Sequence, residues 1–213
     1  MSGFFFLFII VTNIAAGRFG YETFSALDSD AKLQKVGNDP KKFKIGFSLI
    51  FVEHVGIICV ASTLLIAFSP NNVLLATIWG IARTVEALIQ ISTKHDYWGL
   101  LSMSKKYLSS SGAEKKALSD LALSILKKKN TVFTVAQVLF SIGTLAYSIF
   151  FVTSEVVPEA LGWFGVVASI VYGLGSGLKI VKTGFKTLWS LGGLLILIFE
   201  LVLGGWLLFS PIL

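Results

Sequence analysis

Lysine and arginine in this chain are sorted into alternate gaps between long apolar runs, and that sorting constrains the fold more than any motif does. Five lysines (Lys32, Lys35, Lys41, Lys42, Lys44) follow the first run. Eight (Lys94, Lys105, Lys106, Lys115, Lys116, Lys127, Lys128, Lys129) follow the third, and three (Lys179, Lys182, Lys186) flank the gap after the fifth. The gaps around Pro70 and Pro158 and both chain ends hold no Lys or Arg. A helix needs about 20 apolar residues to cross a bilayer, and loops rich in Lys and Arg stay on the cytoplasmic side. The pattern therefore predicts an all-α polytopic membrane protein. Its bundle of six transmembrane helices covers roughly residues 3–24, 45–68, 73–93, 131–152, 160–181 and 189–210 of a single domain, 1–213. The three basic loops face the cytoplasm, and both termini lie outside the plasma membrane.

Composition agrees. The 213 residues are 54% apolar and only 14% charged, where a soluble domain carries about 25% charged residues. A formal charge of +6 on a soluble protein would point to nucleic acid. Here the cations sit where anionic lipid head groups are expected, and no aromatic–basic surface for nucleic acid is visible. Membrane lipids are the expected partners, with anionic head groups at the Lys-rich loops. The single cysteine, Cys59, excludes an intrachain disulfide and a cysteine-based metal cluster. The opening run, Gly3 to Ala16, has no basic leader, and its cations follow it, so it reads as a retained span and not a secretory signal.

The third loop has structure of its own. Ser111 and Glu114 have capping-box spacing, and Leu118, Leu121, Ala122 and Ile125 recur at helical period beside the lysines. An amphipathic connector over about 112–129, lying on the inner leaflet, is the expected arrangement.

Five ionisable residues fall well inside the predicted spans: Glu53, His54, Arg83, Glu86 and Glu200. A charge at the centre of a span costs about 2.5–3.5 kcal/mol on insertion scales, so such residues face the bundle interior and find partners. At about 1.5 Å per residue, Glu86, Glu53, Arg83 and Glu200 fall roughly 10 to 16 Å from the cytoplasmic ends of their helices. Arg83 and Glu86 are three apart and share a helix face, which leaves Glu53 and Glu200 without a cation on their own helices. Two readings follow. The polar layer is a buried network that fixes the bundle, with a lipid or small hydrophobic ligand in the interior; alternatively, membrane-embedded glutamates serve a proton-coupled transporter or channel. No catalytic nucleophile with a paired base is visible. No metal or cofactor is expected, since His54 has no second membrane histidine beside it. Gly165, Ser169, Gly173 and Gly177 make a small-residue face for close helix packing, either within the chain, in a homo-oligomer or against a partner membrane subunit.

Three phrases carry a family resemblance. They are Ile81-Ala82-Arg83-Thr84-Val85-Glu86-Ala87, Val157-Pro158-Glu159-Ala160-Leu161-Gly162-Trp163-Phe164-Gly165, and Phe199-Glu200-Leu201-Val202-Leu203-Gly204-Gly205-Trp206-Leu207-Leu208. With them the chain resembles the prokaryotic membrane family known as domain of unknown function 4386 (DUF4386). The resemblance implies a multi-span bundle in a prokaryotic cytoplasmic membrane, with no assigned activity and no catalytic residues to carry over. Arg83, Glu86 and Glu200 fall on its signature positions; the Glu53-His54 pair and the long Lys-rich loop do not.

Overall fold

The structure, a computed structural model, describes residues 2–181 and 186–210; Lys182, one of the loop cations, lies outside them. Among the described residues there are eight helices and no strand: α1 (Ser2–Arg18), α2 (Ser29–Asn38), α3 (Pro40–Phe68), α4 (Val73–Ser92), α5 (Lys94–Ser109), α6 (Gly112–Ser154), α7 (Glu159–Val181) and α8 (Lys186–Phe209). Five stretches are long and apolar enough to cross a membrane: α3, α4 with α5, α6, α7 and α8. Gly3–Arg18 is apolar but shorter. Helix α1 has 17 residues, about 25 Å at 1.5 Å per residue, against a hydrocarbon core of about 30 Å. The expected six full crossings thus resolve into five candidates and one shorter apolar helix. The outward faces of these helices, with Ile66, Leu74, Ile81, Leu174 and Leu194 all exposed, present hydrocarbon to the surroundings.

Helix α1 stops well before residue 24 for a local reason. Gly20 takes φ +82°, a conformation that only glycine adopts without penalty. It lets the Gly20 N–H reach the Gly17 carbonyl (3.0 Å) and the Tyr21 N–H reach the Ala16 carbonyl (3.0 Å). These two bonds are a Schellman cap, and the accompanying apolar contact is present because Ala16 and Tyr21 share a core. The chain restarts at Asp28, whose carboxylate accepts from the Ala31 N–H at 2.9 Å. Asp39 does the same for the Lys42 N–H at 2.9 Å, with Pro40 as the first residue of α3, where its missing N–H costs nothing. Asn72 caps α4 through the Leu75 N–H.

Contacts divide the chain into two compact units. The first comprises Met1–Val11, His54–Leu88 and Thr134–Leu213. Its core joins Phe6 and Ile9 of α1 with Leu64 and Phe68 of α3, Trp79 of α4, Tyr147 and Phe151 of α6, and Phe199 and Leu203 of α8. Helices α7 and α8 approach so closely that a Cβ on Gly192 would lie 2.6 Å from the Tyr172 Cα, and one on Gly175 would lie 2.8 Å from the Trp189 backbone. Helix α1 meets α8 in the same way: a Cβ on Gly3 would stand 2.5 Å from the Leu208 nitrogen.

The second unit comprises Thr12–Glu53 and Ile89–Phe133. Segments expected to be loops form its helices α2 and α5. Their buried faces, Leu33 and Val36 on α2 and Tyr97, Leu100 and Tyr107 on α5, meet Phe43, Ala122 and Leu126. The connector over 112–129 is helical and continues without a break into the apolar part of α6. Its stripe turns toward protein: Ala122 is fully buried, Leu118 and Ile125 pack against the same core, and Leu121 alone is exposed.

Candidate functional site

In the first unit the Arg83 Nη1 donates to Glu86 Oε2 at 2.5 Å, and both side chains are almost fully buried. Residues three apart on α4 share a face, so one turn of helix suffices to form the pair. The guanidinium carbon stands 4.4 Å from the centre of the Phe140 ring and 5.4 Å from that of Trp79. Ring faces are electron-rich and stabilise a desolvated cation by roughly 2 kcal/mol. Gly143 on α6 makes room for the arginine stem, because a Cβ there would lie 3.2 Å from the Arg83 Cγ. Trp79 is held in turn by its own N–H, which donates to the Ala61 carbonyl at 3.2 Å. The Arg83 Nε has no acceptor among the described residues.

Glu200 is half-buried on α8. Its charge and that of Arg83 both act on the Tyr147 hydroxyl, and those of Glu86 and Glu200 act on Tyr172. The Tyr172 hydroxyl donates to Gln137 Oε1 at 2.6 Å. Ser141, Ser148 and Ser169 each donate to a carbonyl one turn back on their own helix. Arg83, Glu86, Glu200, Tyr147 and Tyr172 thus belong to one electrostatic neighbourhood. Of the small-residue face, Gly165 is tightly covered by Ser148 and Phe199, Ser169 is buried, Gly173 meets Ser141, and Gly177 meets nothing within 4 Å.

The second unit holds a different arrangement. Three lysines, Lys32, Lys94 and Lys129, are about 95% buried around the rings of Tyr21 and Tyr97. Lys129 donates to the carbonyls of Glu22 (2.5 Å) and Thr23 (2.9 Å) and to the Ser25 hydroxyl (3.0 Å). Lys94 donates to the Tyr21 hydroxyl at 2.6 Å, and Lys32 to the Gly20 carbonyl at 3.3 Å beside the Glu22 carboxylate. Burial pushes the Lys32 ammonium below its ordinary range, with Glu22 opposing the shift. Next to Lys129, Asn130 forms a reciprocal pair with Ser25: its Oδ1 accepts from the Ser25 N–H and its Nδ2 donates to the Ser25 carbonyl, both at 2.8 Å. The amide thereby serves residue 25 as a neighbouring strand would. Together these contacts clamp the segment that follows the Schellman cap.

Glu53 is buried in this unit. Asn13 Nδ2 donates to its Oε1 at 3.0 Å, and the Lys94 charge acts on it. A cation whose charge reaches it is therefore a lysine counted in the sequence among loop cations. His54, one residue on, is buried in the other unit. Cys59 is a free thiol, half-buried, and no cluster of three His, Cys, Asp or Glu side chains with metal-site geometry occurs among the described residues.

The family model of a domain of unknown function, DUF4386, matches residues 1–210, nearly the whole chain. The chain belongs to the DUF4386 family. No curated protein and no solved structure matches it. In this DUF4386 protein the residues that sequence reasoning missed are Lys32, Lys94, Lys129, Asn130, Tyr21, Tyr97 and Gly143. Their partners lie up to 107 positions away, so no local spacing announces them.

Asn130→Ala leaves both backbone groups of Ser25 without a side-chain partner. Each orphaned buried group costs about 1–3 kcal/mol, so the unfolding temperature in detergent should fall and protease cutting within residues 19–28 should accelerate. Asn38→Ala, at an exposed position, should change neither; equal behaviour of the two variants would contradict the clamp.

Proposed function

We propose that this DUF4386 protein is a multi-pass plasma-membrane protein whose Arg83–Glu86 layer, with Glu200 and Tyr147, is a fixed polar core and not a catalytic site. The observation that carries this reading is the enclosure of Arg83, between Glu86, two aromatic rings and a glycine-sized gap opposite. A guanidinium 2% exposed, paired on one edge and stacked near two rings, has little surface to offer a substrate. Replacement of a buried pair by apolar groups is often neutral, whereas loss of one partner leaves a costly unpaired charge. The contacts of Arg83 with Phe140 and Gly143 tie α4 to α6 at this level. The hydrocarbon-facing exterior and the small-residue approaches of α7 and α8 suit a bundle whose other contacts are lipid tails or a further membrane subunit.

A second reading, proton-coupled transport, is favoured by Glu200 alone. It is a half-buried carboxylate within a membrane-length helix, and its charge acts on two buried tyrosine hydroxyls; an intramembrane acid is the kind of group a proton-coupled carrier titrates. Glu200→Gln separates the two. On the structural reading the variant unfolds at a lower temperature in detergent, and liposomes carrying the wild type show no proton flux above empty liposomes. Proton flux in the wild type, lost in a Glu200→Gln variant of unchanged stability, would replace the structural reading with the transport one.

The orientation belongs to the same proposal: the three lysine-bearing loops inside, both termini outside. It rests on the partition of cations between alternate gaps. With Cys59 replaced by Ala, Asn71→Cys in the turn between α3 and α4 should react with an impermeant maleimide on intact cells. Labelling only after the cells are broken would invert the topology.

A further inference from the structure

The second unit carries a cleft beside the lysine clamp, with which it shares Gly20 and Lys32. It lies between the end of α1, helix α2 and the first turn of α3, has a volume of about 270 Å³, and is lined by Phe19, Lys32, Lys35, Asn38, Lys42 and Phe43 among others. We infer that it holds the phosphate-bearing head group of an anionic glycerophospholipid, with Lys35 and Lys42 on the phosphate and the acyl chains leaving past Phe19.

Charge comes first. Three ammonium groups line the cleft against one carboxylate, Asp39, and that carboxylate is engaged with the Lys42 backbone N–H. Glu22 stands 3.5 Å from Lys32 and 3.8 Å from Lys35, so one positive charge stays unneutralised. Among the described residues the Lys42 ammonium has no hydrogen-bond or ion-pair partner. Lys32 is fixed by burial, while the Lys35 side chain is 57% exposed, and its 3.8 Å contact with Glu22 leaves ammonium hydrogens for an anion.

Shape and placement select the lipid. Phe19 follows directly on the apolar helix α1, and Phe43 sits two residues ahead of the apolar run that begins at Ile45. Both therefore mark the boundary between hydrocarbon-compatible helix and charged loop. The backbones meet there, since a Cβ on Gly46 would stand 2.9 Å from the Phe19 carbonyl oxygen. Phe19 remains 37% exposed, an apolar wall beside cations. A site built for inorganic phosphate would surround it with fixed donors; here the exposed Lys35 and Lys42 line the same cleft as an exposed phenyl ring. The volume falls just below the range of small-ligand pockets, about 300–1,000 Å³, which suits a head group and not a whole lipid.

The test is a titration of the purified full-length chain in detergent with dioleoyl-phosphatidylglycerol and dioleoyl-phosphatidylcholine, read by native mass spectrometry. The wild type should retain phosphatidylglycerol in preference to phosphatidylcholine. A juxtamembrane lysine near an anionic surface contributes a few-fold in affinity, so Lys35→Gln with Lys42→Gln should weaken binding about thirtyfold. Asn38→Trp fills the cleft without changing charge and should weaken it about tenfold or more. Lys105→Gln with Lys106→Gln, on the exposed face of α5, should have no effect. All these positions are solvent-exposed, so folding is checked by an unchanged unfolding temperature. Equal retention of the two lipids, or wild-type binding by Asn38→Trp, would overturn the site. So would displacement of the lipid by millimolar inorganic phosphate, which would assign the cleft to a free anion.

Discussion

A charge withdrawn from water must be met by the protein itself, and this requirement organises both units. In the first, Arg83 satisfies it within one turn of α4 through Glu86, and the aromatic rings of Trp79 and Phe140 complete the enclosure. In the second, three buried ammonium groups satisfy it with backbone carbonyls, hydroxyls and tyrosine faces, with few carboxylates. The two solutions differ because the partners differ. A guanidinium is planar and pairs with a carboxylate while stacking on rings; an ammonium is a point donor that can gather three carbonyl or hydroxyl oxygens.

The second solution has a structural consequence. Backbone groups of an irregular segment cannot stay buried unless something bonds them. After the Schellman cap at Gly20, residues 20–25 leave helical geometry, and their carbonyls would be unsatisfied. Lys32, Lys129 and Asn130 supply those bonds from α2 and α6. The cations are thus better described as donors completing a loop than as a surface charge, although their neighbours in sequence, Lys127 and Lys128, remain exposed.

What was legible in the sequence was whatever local periodicity or length encodes. The apolar runs from Ile45, Val73, Ala160 and Trp189 all lie within observed helices, and the Arg83–Glu86 spacing placed both groups on one face. The end of α1 at Arg18 turned on the single glycine at 20, whose capping role outweighed the aromatic residues at 19, 21 and 24 that extended the expected span to Phe24. Helices α2 and α5 escaped because they are only half apolar: a membrane-length criterion discards them, although the spacing of Tyr97, Leu100, Ser104 and Tyr107 is helical. Lys129 and Asn130 escaped for a different reason. Nothing local distinguishes the third lysine of a triplet from the first two; only the fold brings it to Tyr21 and Ser25. Gly143, which makes space for the arginine stem, is likewise defined by what lies opposite.

A double-mutant cycle on Arg83 and Glu86 measures the organising requirement directly, through equilibrium unfolding in detergent of Arg83→Met, Glu86→Leu and the two combined. If the pair exists to neutralise itself inside the bundle, each single change costs about 3–5 kcal/mol, and the combined change costs far less than their sum. Costs that add to within about 0.5 kcal/mol would mean that the two groups act separately, and the enclosed pair would not be what holds the first unit together.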